Sequence, residues 1–320
     1  MNRDTILITG AGGFIGGHLC EYLLQQGINT IGVDNINDYY DPSIKENTIN
    51  RLSSYDEFEF FRTDIRNFEA LDSIFGNHEI GTVVHLAAMA GVRSSIENPS
   101  VYTDVNVNGT HNVLQLSVTN GVRNFVFASS SSVYGERQEV PFREEDRTDS
   151  PLSPYAASKK AGELLAYSYH SLYDIPVSCL RFFTVYGPRG RPDMAPFIFI
   201  DRISRGIPIR QYGDGTSQRD YTYVSDIVQG IVGAIENPRS YDIYNLGNSN
   251  PAKLSDFIQI IEESVGKKAE IEVIGAQPGD VQKTYADVTR AKKYLGYEPK
   301  ISLREGISRT VVWYNEEYES

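Results

Sequence analysis

The segment Thr5-Ile-Leu-Ile-Thr9-Gly10-Ala-Gly-Gly13-Phe-Ile-Gly16-Gly17 decides the fold of this chain. Its β-branched start predicts a strand, its glycines a tight turn, and the residues from His18 onward a helix. Glycines let a backbone approach the pyrophosphate of a dinucleotide, and a helix amino terminus adds N–H groups and a positive dipole. The spacing is G-x-x-G-x-x-G, with Ile15 where G-x-G-x-x-G would have its last glycine. Glycine turns also serve packing alone, so further signals are needed.

A second strand supplies such a signal. Ile28 to Val33 is apolar and ends at Asp34, 18 residues after Gly16. An acid at this position binds the ribose diol of adenosine and repels a 2′-phosphate. The two signals together predict a dinucleotide site and favour NAD over NADP as the cofactor.

Strands and helices alternate through the first half of the chain. Further buried strands are predicted at Phe58 to Phe61, Thr82 to Ala88, Asn124 to Ala128 and Pro176 to Arg181. This alternation predicts an α/β fold with a Rossmann-like, doubly wound parallel sheet. Beyond residue 181 the regularity ends in a stretch rich in Gly, Pro and Arg. We therefore expect a cofactor-binding domain over 1–181, with returning segments at about 220–248, and a smaller mixed α/β substrate lobe over 182–320.

The residues expected around the cofactor lie in the glycine turn, at strand ends and in one helix. The segment Asn35 to Ser54 between the second and third strands is polar, and we expect a solvated excursion there. Asn106 and Gly109 fall inside a helical stretch from about Ser100 to Thr119, where such residues need a packing or hydrogen-bonding reason. The candidate cofactor-binding residues are Gly10, Gly13, Phe14, Ile15, Gly16, Asp34, Asn35, Asp64, Ile65, Leu86, Ala87, Ala88, Asn106, Tyr155 and Lys159.

Composition narrows the class of protein. The 320 residues carry a net charge of −12 without blocks of like charge, which argues against nucleic acid or an anionic membrane as a partner. No apolar run has the length of a membrane span, and no signal peptide is evident. The two cysteines, Cys20 and Cys179, have apolar neighbours and no metal-ligand spacing. We expect a cytoplasmic protein without a metal site.

A candidate catalytic set follows the predicted strand at Asn124 to Ala128. Ser129 to Ser132 place hydroxyls where open parallel sheets bind ligands. Tyr155-Ala-Ala-Ser-Lys159 would put a phenol and an ammonium on one helix face, and the charge is expected to lower the Tyr155 pKa towards neutrality. Tyr and Lys also occur at this spacing by chance on solvated helices, so the pair alone is weak evidence for a proton relay.

Together these motifs resemble the extended short-chain dehydrogenase/reductase family that acts on nucleotide sugars. The resemblance covers nearly the whole chain and includes Arg219-Asp-Tyr-Thr-Tyr-Val-Ser-Asp226. Within the family, the segments Met89 to Arg93, Phe183 to Met194 and Gln277 to Asp280 are similar to those of UDP-glucuronate 4-epimerases. The resemblance implies NAD as cofactor, a UDP-sugar as substrate and epimerisation at C4.

The resemblance also implies roles for individual residues. Tyr155 would be the base, Lys159 would hold the nicotinamide ribose, Ser130 would bind the sugar O4, and Ser132 would also reach the sugar. The remaining substrate-binding candidates are Met89, Arg93, Thr184, Arg191, Tyr212, Arg219 and Asp280.

Several of these candidates have more specific expected roles. The resemblance implies that Arg219 and Asp280 bind the diphosphate and the nucleotide ribose. Arg191 and Thr184 are expected to hold a sugar carboxylate, because a guanidinium can grip both of its oxygens. Tyr212 is expected to stack on uracil. Gln277 replaces the arginine that many sugar epimerases carry there, which leaves the pyrophosphate contacts open. Relatives pair through helices matching about 100–119 and 154–173, so a homodimer is expected.

Several reactions remain open at this stage. Ser131 and Ser132 stand where dehydratases and decarboxylases of the family carry carboxylates, and neutral hydroxyls are poor acids and bases, so dehydration is disfavoured. The alternatives are a 4-epimerase of UDP-glucose or UDP-GlcNAc, a UDP-glucuronate decarboxylase, and a non-catalytic Rossmann module that senses NAD.

Overall fold

A seven-stranded parallel sheet lies at the centre of the protein, in a computed structural model that describes residues 5–275 and 281–318. The strand order is β3-β2-β1-β4-β5-β6-β11, and each adjacent pair is parallel. This order confirms the predicted Rossmann-like, doubly wound fold. The strands are β1 Thr5–Thr9, β2 Thr30–Asp34, β3 Phe58–Arg62, β4 Ile80–His85, β5 Asn124–Ser130, β6 Val177–Phe182 and β11 Tyr241–Leu246.

Helices cover both faces of this sheet. One face packs on α1, α9 and α11 through a core that includes Leu19 and Ile231, and the other on α3, α6 and α7 through residues such as Val113 and Ala166. The helices between residues 14 and 173 are α1 Phe14–Gln25, α2 Pro42–Leu52, α3 Phe68–Asn77, α4 Val92–Glu97, α5 Pro99–Thr103, α6 Thr110–Thr119 and α7 Pro154–Tyr173. Those that follow are α8 Ala195–Ser204, α9 Val224–Glu236, α10 Leu254–Val265, α11 Thr289–Leu295 and α12 Leu303–Tyr318.

Short strands and the later helices build a second layer beside the carboxyl ends of the sheet. Three two-stranded pairings, β7 with β10, β8 with β13 and β9 with β12, belong to it. Their core joins α8, α10 and α12 through side chains such as Phe199, Phe257 and Ile307. The strands are β7 Thr184–Tyr186, β8 Ile209–Tyr212, β9 Gln218–Arg219, β10 Tyr221–Tyr223, β12 Ala252–Lys253 and β13 Ile271–Ile274.

The segment Asn35 to Ser54 is not the solvated excursion expected from its polarity. Asp41 caps α2 by accepting a hydrogen bond from the Ser43 N–H at 3.0 Å, and Pro42 occupies the first turn. Lys45, Thr48, Ile49 and Leu52 are buried on one face of the helix. Helix α2 packs on α1. The loop that joins β2 to α2 is therefore held over the carboxyl edge of the sheet.

Asn106 lies where the helix through residues 99–119 changes pitch. A π-helical turn, Asp104–Gly109, separates α5 from α6. Asn106 is buried, accepts a hydrogen bond from the Met89 N–H at 2.7 Å, and donates to Met89 O and Ser158 Oγ, both at 2.9 Å. The expected hydrogen-bonding reason for this residue is confirmed.

Neither a membrane-spanning helix nor a metal-binding cluster is found in residues 5–275 and 281–318. Among these residues, we find no helix with the length and hydrophobicity needed to cross a bilayer. The same residues contain no group of three or more His, Cys, Asp or Glu side chains arranged to hold a metal ion.

Candidate active site

A cavity of about 710 Å³ opens where the carboxyl ends of the central strands meet the second layer. This is the edge at which open parallel sheets bind ligands. Nearly all of the predicted site residues within the described part of the chain line it. They are Gly10, Gly13, Phe14, Ile15, Gly16, Asp34, Asn35, Asp64, Ile65, Leu86, Ala87, Ala88, Met89, Arg93, Ser130, Ser132, Tyr155, Lys159, Thr184, Arg191, Tyr212 and Arg219.

Two predicted residues stand apart from this set. Asn106 does not line the cavity, because its amide is committed to the backbone of Met89 and to Ser158. Through these hydrogen bonds, Asn106 supports the loop after β4 without contacting the cavity. Asp280 and the neighbouring Gln277 lie outside the described residues.

The glycine turn has the form that a dinucleotide requires. Gly10 has φ +78°, and a Cβ there would lie 2.8 Å from the Ala87 backbone nitrogen. A Cβ on Gly16 would collide with the Gly10 carbonyl oxygen. With the amino terminus of α1 at Phe14, the turn therefore offers bare backbone and a helix dipole to the cavity, which fits a pyrophosphate.

Asp34 ends β2 at the cavity wall. Its carboxylate accepts hydrogen bonds from the Gly12 N–H at 3.0 Å and the Ile36 N–H at 2.8 Å. Burial raises the pKa of Asp34, while these N–H groups and the charge of Lys45 act against that shift. Lys45 is itself held by Asn37, whose side-chain oxygen lies 2.6 Å from Nζ. The acid predicted for a ribose diol is thus fixed in position.

A second polar corner lies at the end of β3. Asn35 Nδ2 donates to Asp64 Oδ2 at 2.8 Å, and Arg66 contacts both oxygens of Asp64 at 2.9 Å. These hydrogen bonds with Arg66 lower the pKa of Asp64 to about 2. Ile65 beside it is buried and provides apolar wall. This combination suits the adenine end of a dinucleotide.

Ser130, Tyr155 and Lys159 meet at the centre of the cavity. Ser130 ends β5, and its hydroxyl is near enough to the Tyr155 phenol to lower the pKa of that phenol. Lys159 lies one turn after Tyr155 on α7 and donates from Nζ to the Ala128 carbonyl oxygen at 2.8 Å. The sequence-based grouping of a hydroxyl, a phenol and an amine on adjacent elements is present in the structure.

The expected effect of Lys159 on Tyr155 is not observed in the structure. Burial raises the pKa of Tyr155, and the hydrogen bond with Ser130 and the charge of Arg191 lower it only in part. Burial also lowers the pKa of Lys159 to about 7. The prediction was wrong because it counted the attraction between charge and phenolate and omitted the cost of burying both ions.

Arg191 and Arg93 both line the cavity, and each lies against an aromatic ring. The Arg191 guanidinium forms an ion pair with Asp193 and lies 5.5 Å from the centre of the Tyr39 ring. The Arg93 guanidinium lies 4.1 Å from the centre of the Tyr212 ring. The aromatic face predicted to meet uracil is thus covered by Arg93 in this structure.

Several cavity residues were missed by sequence reasoning. They come from the β2–α2 loop, from α2 and from the loop before α8, namely Asn37, Tyr39 and Tyr40, then Lys45, and then Asp193. The signal that identifies the first four is the Asp41-Pro42 helix start, which predicts an ordered α2 and therefore a fixed preceding loop. Asp193 carried no local signal, because only the folded loop pairs it with Arg191.

The fold and the site together define a class of protein. Its members have a Rossmann-type sheet, a cavity large enough for a dinucleotide, and a Ser/Tyr/Lys set in that cavity. The model of the family described as GDP-mannose 4,6-dehydratase matches residues 7–310. The chain belongs to this family of extended short-chain dehydrogenases/reductases, which confirms the family predicted from sequence.

Individual relatives are epimerases. The chain is 48% identical to the UDP-glucuronate 4-epimerase of Thermodesulfobacterium geofontis, covering 98% of this chain and 97% of that protein. The UDP-glucuronic acid 4-epimerase from Bacillus cereus, in complex with UDP-glucuronic acid and NAD, superposes with a TM-score of 0.93 at 35% identity, over 98% of this chain and 100% of that one. The UDP-glucose 4-epimerase of Thermotoga maritima, with UDP-glucose, superposes at 0.91 and 32% identity, over 98% and 99%.

Proposed function

We propose that the protein is an NAD-dependent isomerase that interconverts UDP-glucuronate and UDP-galacturonate by epimerisation at C4. The observation that carries the proposal is that the Arg191 guanidinium lies in the same cavity as Ser130, Tyr155 and Lys159. A fixed cation there suits a sugar that bears a carboxylate. The full-length similarity to UDP-glucuronate 4-epimerases supports the same substrate.

The cofactor proposed is NAD, and the cavity fits it. The glycine turn would receive the pyrophosphate, Asp34 the adenosine ribose diol, and the Asp64 corner the adenine. Bound NAD supplies a hydride acceptor and then a hydride donor for C4 of the sugar. The site residues must hold it throughout, since epimerisation has no net redox change.

The residues of the chain supply the proton chemistry. Tyr155 takes the O4 proton as C4 is oxidised, and returns it when C4 is reduced on the other face. Ser130 donates a hydrogen bond that favours the phenolate, and Lys159 holds the nicotinamide ribose. Ser132 reaches the sugar hydroxyls. Between the two hydride transfers the 4-keto sugar turns about its phosphate linkage.

With a uronic acid as substrate, decarboxylation competes with epimerisation. The 4-keto form is a β-keto acid, which loses CO₂ when the C5–C6 bond aligns with the carbonyl π system. We assign Arg191 and Thr184 the task of holding the carboxylate away from that alignment. The Arg191 ion pair with Asp193 supports this assignment, because it immobilises the guanidinium inside the cavity.

The remaining site residues are proposed for the nucleotide. Arg219 and Arg93 bring positive charge to the diphosphate, Tyr212 provides a ring for uracil, and Met89 lines the sugar. Uracil stacking on Tyr212 requires that Arg93 leave the face it covers here. In this scheme residues 1–181, with segments at about 220–248, bind the cofactor and 182–320 bind the nucleotide sugar.

A homodimer is proposed as the working form. The long helix α7 exposes large apolar side chains, including Leu164 at 57% and Tyr167 at 53%. A second copy of this helix would cover them. Sedimentation of the wild type and of Leu164→Arg tests this, with a monomeric wild type counting against it.

A reducing, cytoplasmic compartment is also proposed. Cys20 and Cys179 are both buried and free, and burial raises the pKa of each thiol. Neither thiol is exposed where it could form a disulfide with another protein. Immunodetection of the protein in a membrane-enclosed fraction would count against this location.

The deciding experiment incubates the purified protein and NAD with UDP-glucuronate or UDP-glucose. We expect UDP-galacturonate from the first and little turnover of the second. Release of CO₂ with a UDP-pentose would indicate a decarboxylase. If NAD binds but neither sugar turns over, the protein is a non-catalytic NAD-binding module.

A further inference from the structure

The loop that carries Arg191 has a constrained backbone. It leaves β7 through Gly187 at φ +148° and passes through Arg189 at φ +60°, an uncommon value for a residue with a side chain. The Arg189 guanidinium forms an ion pair with Glu21 of α1 at 2.5 Å. The loop is thus anchored to the helix that follows the glycine turn, and Arg191 is not on a freely moving segment.

Asp193 grips one edge of the Arg191 guanidinium. Arg191 Nε lies 2.9 Å from Asp193 Oδ1, and Nη2 lies 2.5 Å from Oδ2, so the pair is bidentate. Nη2 also donates to the Ala90 carbonyl oxygen at 3.4 Å. Within residues 5–275 and 281–318, Nη1 has no protein hydrogen-bond acceptor. The Nε/Nη2 edge is therefore used, and Nη1, at the free end of the guanidinium, retains donors for a ligand.

Asp193 is also held by Tyr39. The Tyr39 hydroxyl donates to Asp193 Oδ2 at 3.3 Å and is within 2.9 Å of Ser94 Oγ. The Tyr39 ring lies beneath the guanidinium, 5.5 Å from its carbon. Tyr39 thus contacts both members of the ion pair and restricts the movement of the guanidinium.

We propose that Asp193 is a positioning residue, which with Tyr39 aims the free end of Arg191 at the carboxylate of the sugar and so suppresses decarboxylation. The inference rests on the proposed function. In the side reaction the C5–C6 bond of the 4-keto uronate breaks and CO₂ leaves. The electron pair forms an enolate with the C4 carbonyl, C5 takes a proton, and hydride return to C4 yields a UDP-pentose. A guanidinium that swings permits this alignment, and a fixed one prevents it.

The test compares Asp193→Asn with a matched control. Arg147 and Asp149 form an ion pair with the same spacing of two residues, but both are exposed and neither lines the cavity. For Asp193→Asn we expect the KM for UDP-glucuronate to rise about tenfold and the CO₂ released per epimerisation to increase at least tenfold. Asp149→Asn should match the wild type in both measurements.

Tyr39→Phe provides a second variant that keeps the ring and removes the hydroxyl contact with Asp193. It should change KM and CO₂ release in the same direction by a smaller factor, and it decides the question if Asp193→Asn does not fold. Unchanged KM and CO₂ release in folded variants would overturn the positioning role. A wild type that does not epimerise UDP-glucuronate would instead refute the proposed function.

Discussion

Glu163 and Arg181 form a bidentate ion pair in which each side chain is only 1% exposed. Arg181 Nε and Nη2 donate to the two Glu163 oxygens at 2.8 and 2.9 Å. Ser129, the residue before Ser130, donates to the same carboxylate at 2.7 Å. Because Glu163 lies one turn after Lys159, this pair joins α7 to the ends of β5 and β6 and sets the distance between Tyr155 and Ser130.

Glu163→Gln should therefore destabilise the protein strongly. Removing one partner leaves the Arg181 charge buried without compensation, which costs about 3–5 kcal/mol. Denaturant unfolding of the cofactor-free protein measures the loss. Glu305→Gln, which breaks the exposed Arg309 pair, is the control and should change stability by less than about 0.5 kcal/mol. Equal losses in both variants would contradict the role given to the buried pair.

Tyr155→Phe should abolish turnover while leaving binding intact. The phenol is the only proposed acceptor for the O4 proton, and loss of a general base typically costs about 10²–10⁴-fold in rate. We expect kcat to fall by about 1,000-fold, with NAD and UDP-glucuronate still bound. Tyr22→Phe, exposed on α1 and outside the cavity, is the control. Retained activity in Tyr155→Phe would remove this residue from the mechanism.

Lys159→Met should make the cofactor-free protein more stable at low pH. The pKa of Lys159 is about 7 in the folded protein and about 10.4 when unfolded. Below pH 7 both states are protonated and folding bears the full cost of burying the charge. As pH rises from 7 to 10.5, the folded state releases the proton first and wild-type stability increases.

The advantage of Lys159→Met should thus be about 2 kcal/mol or more at pH 6 and shrink towards pH 9.5. Unfolding curves across this range provide the measurement. A difference between variant and wild type that does not change with pH would show that Lys159 is not buried as a charge.

Arg191→Gln should discriminate between sugars. Loss of a buried charge partner should lower kcat/KM for UDP-glucuronate by about 100-fold. Whatever turnover of UDP-glucose the wild type has should change far less, since that sugar has no carboxylate to hold. Steady-state kinetics with both substrates measures the difference. A uniform loss on both sugars would mean that Arg191 acts through the cavity or through the Tyr155 pKa and does not select the uronate.

The sequence by itself determined the class of this protein. The glycine turn, Asp34 and the Ser130, Tyr155 and Lys159 set depend on local spacing, because a strand, a tight turn and a helix follow in order along the chain. Those patterns also led to the family, which the comparisons confirm. They were sufficient for the fold because the glycine turn and the Tyr155-to-Lys159 spacing are each local, and the alternation of strands and helices repeats along the chain.

Only the tertiary structure decided the electrostatics of the site and the contacts between distant loops. The pKa of Tyr155 rises and that of Lys159 falls because the packed protein around them removes solvent from both groups, which no local spacing reveals. Tyr39 and Asp193 are 154 residues apart in sequence and meet across the cavity. Burial and long-range contact are properties of the packed chain, so they were beyond what sequence patterns could predict.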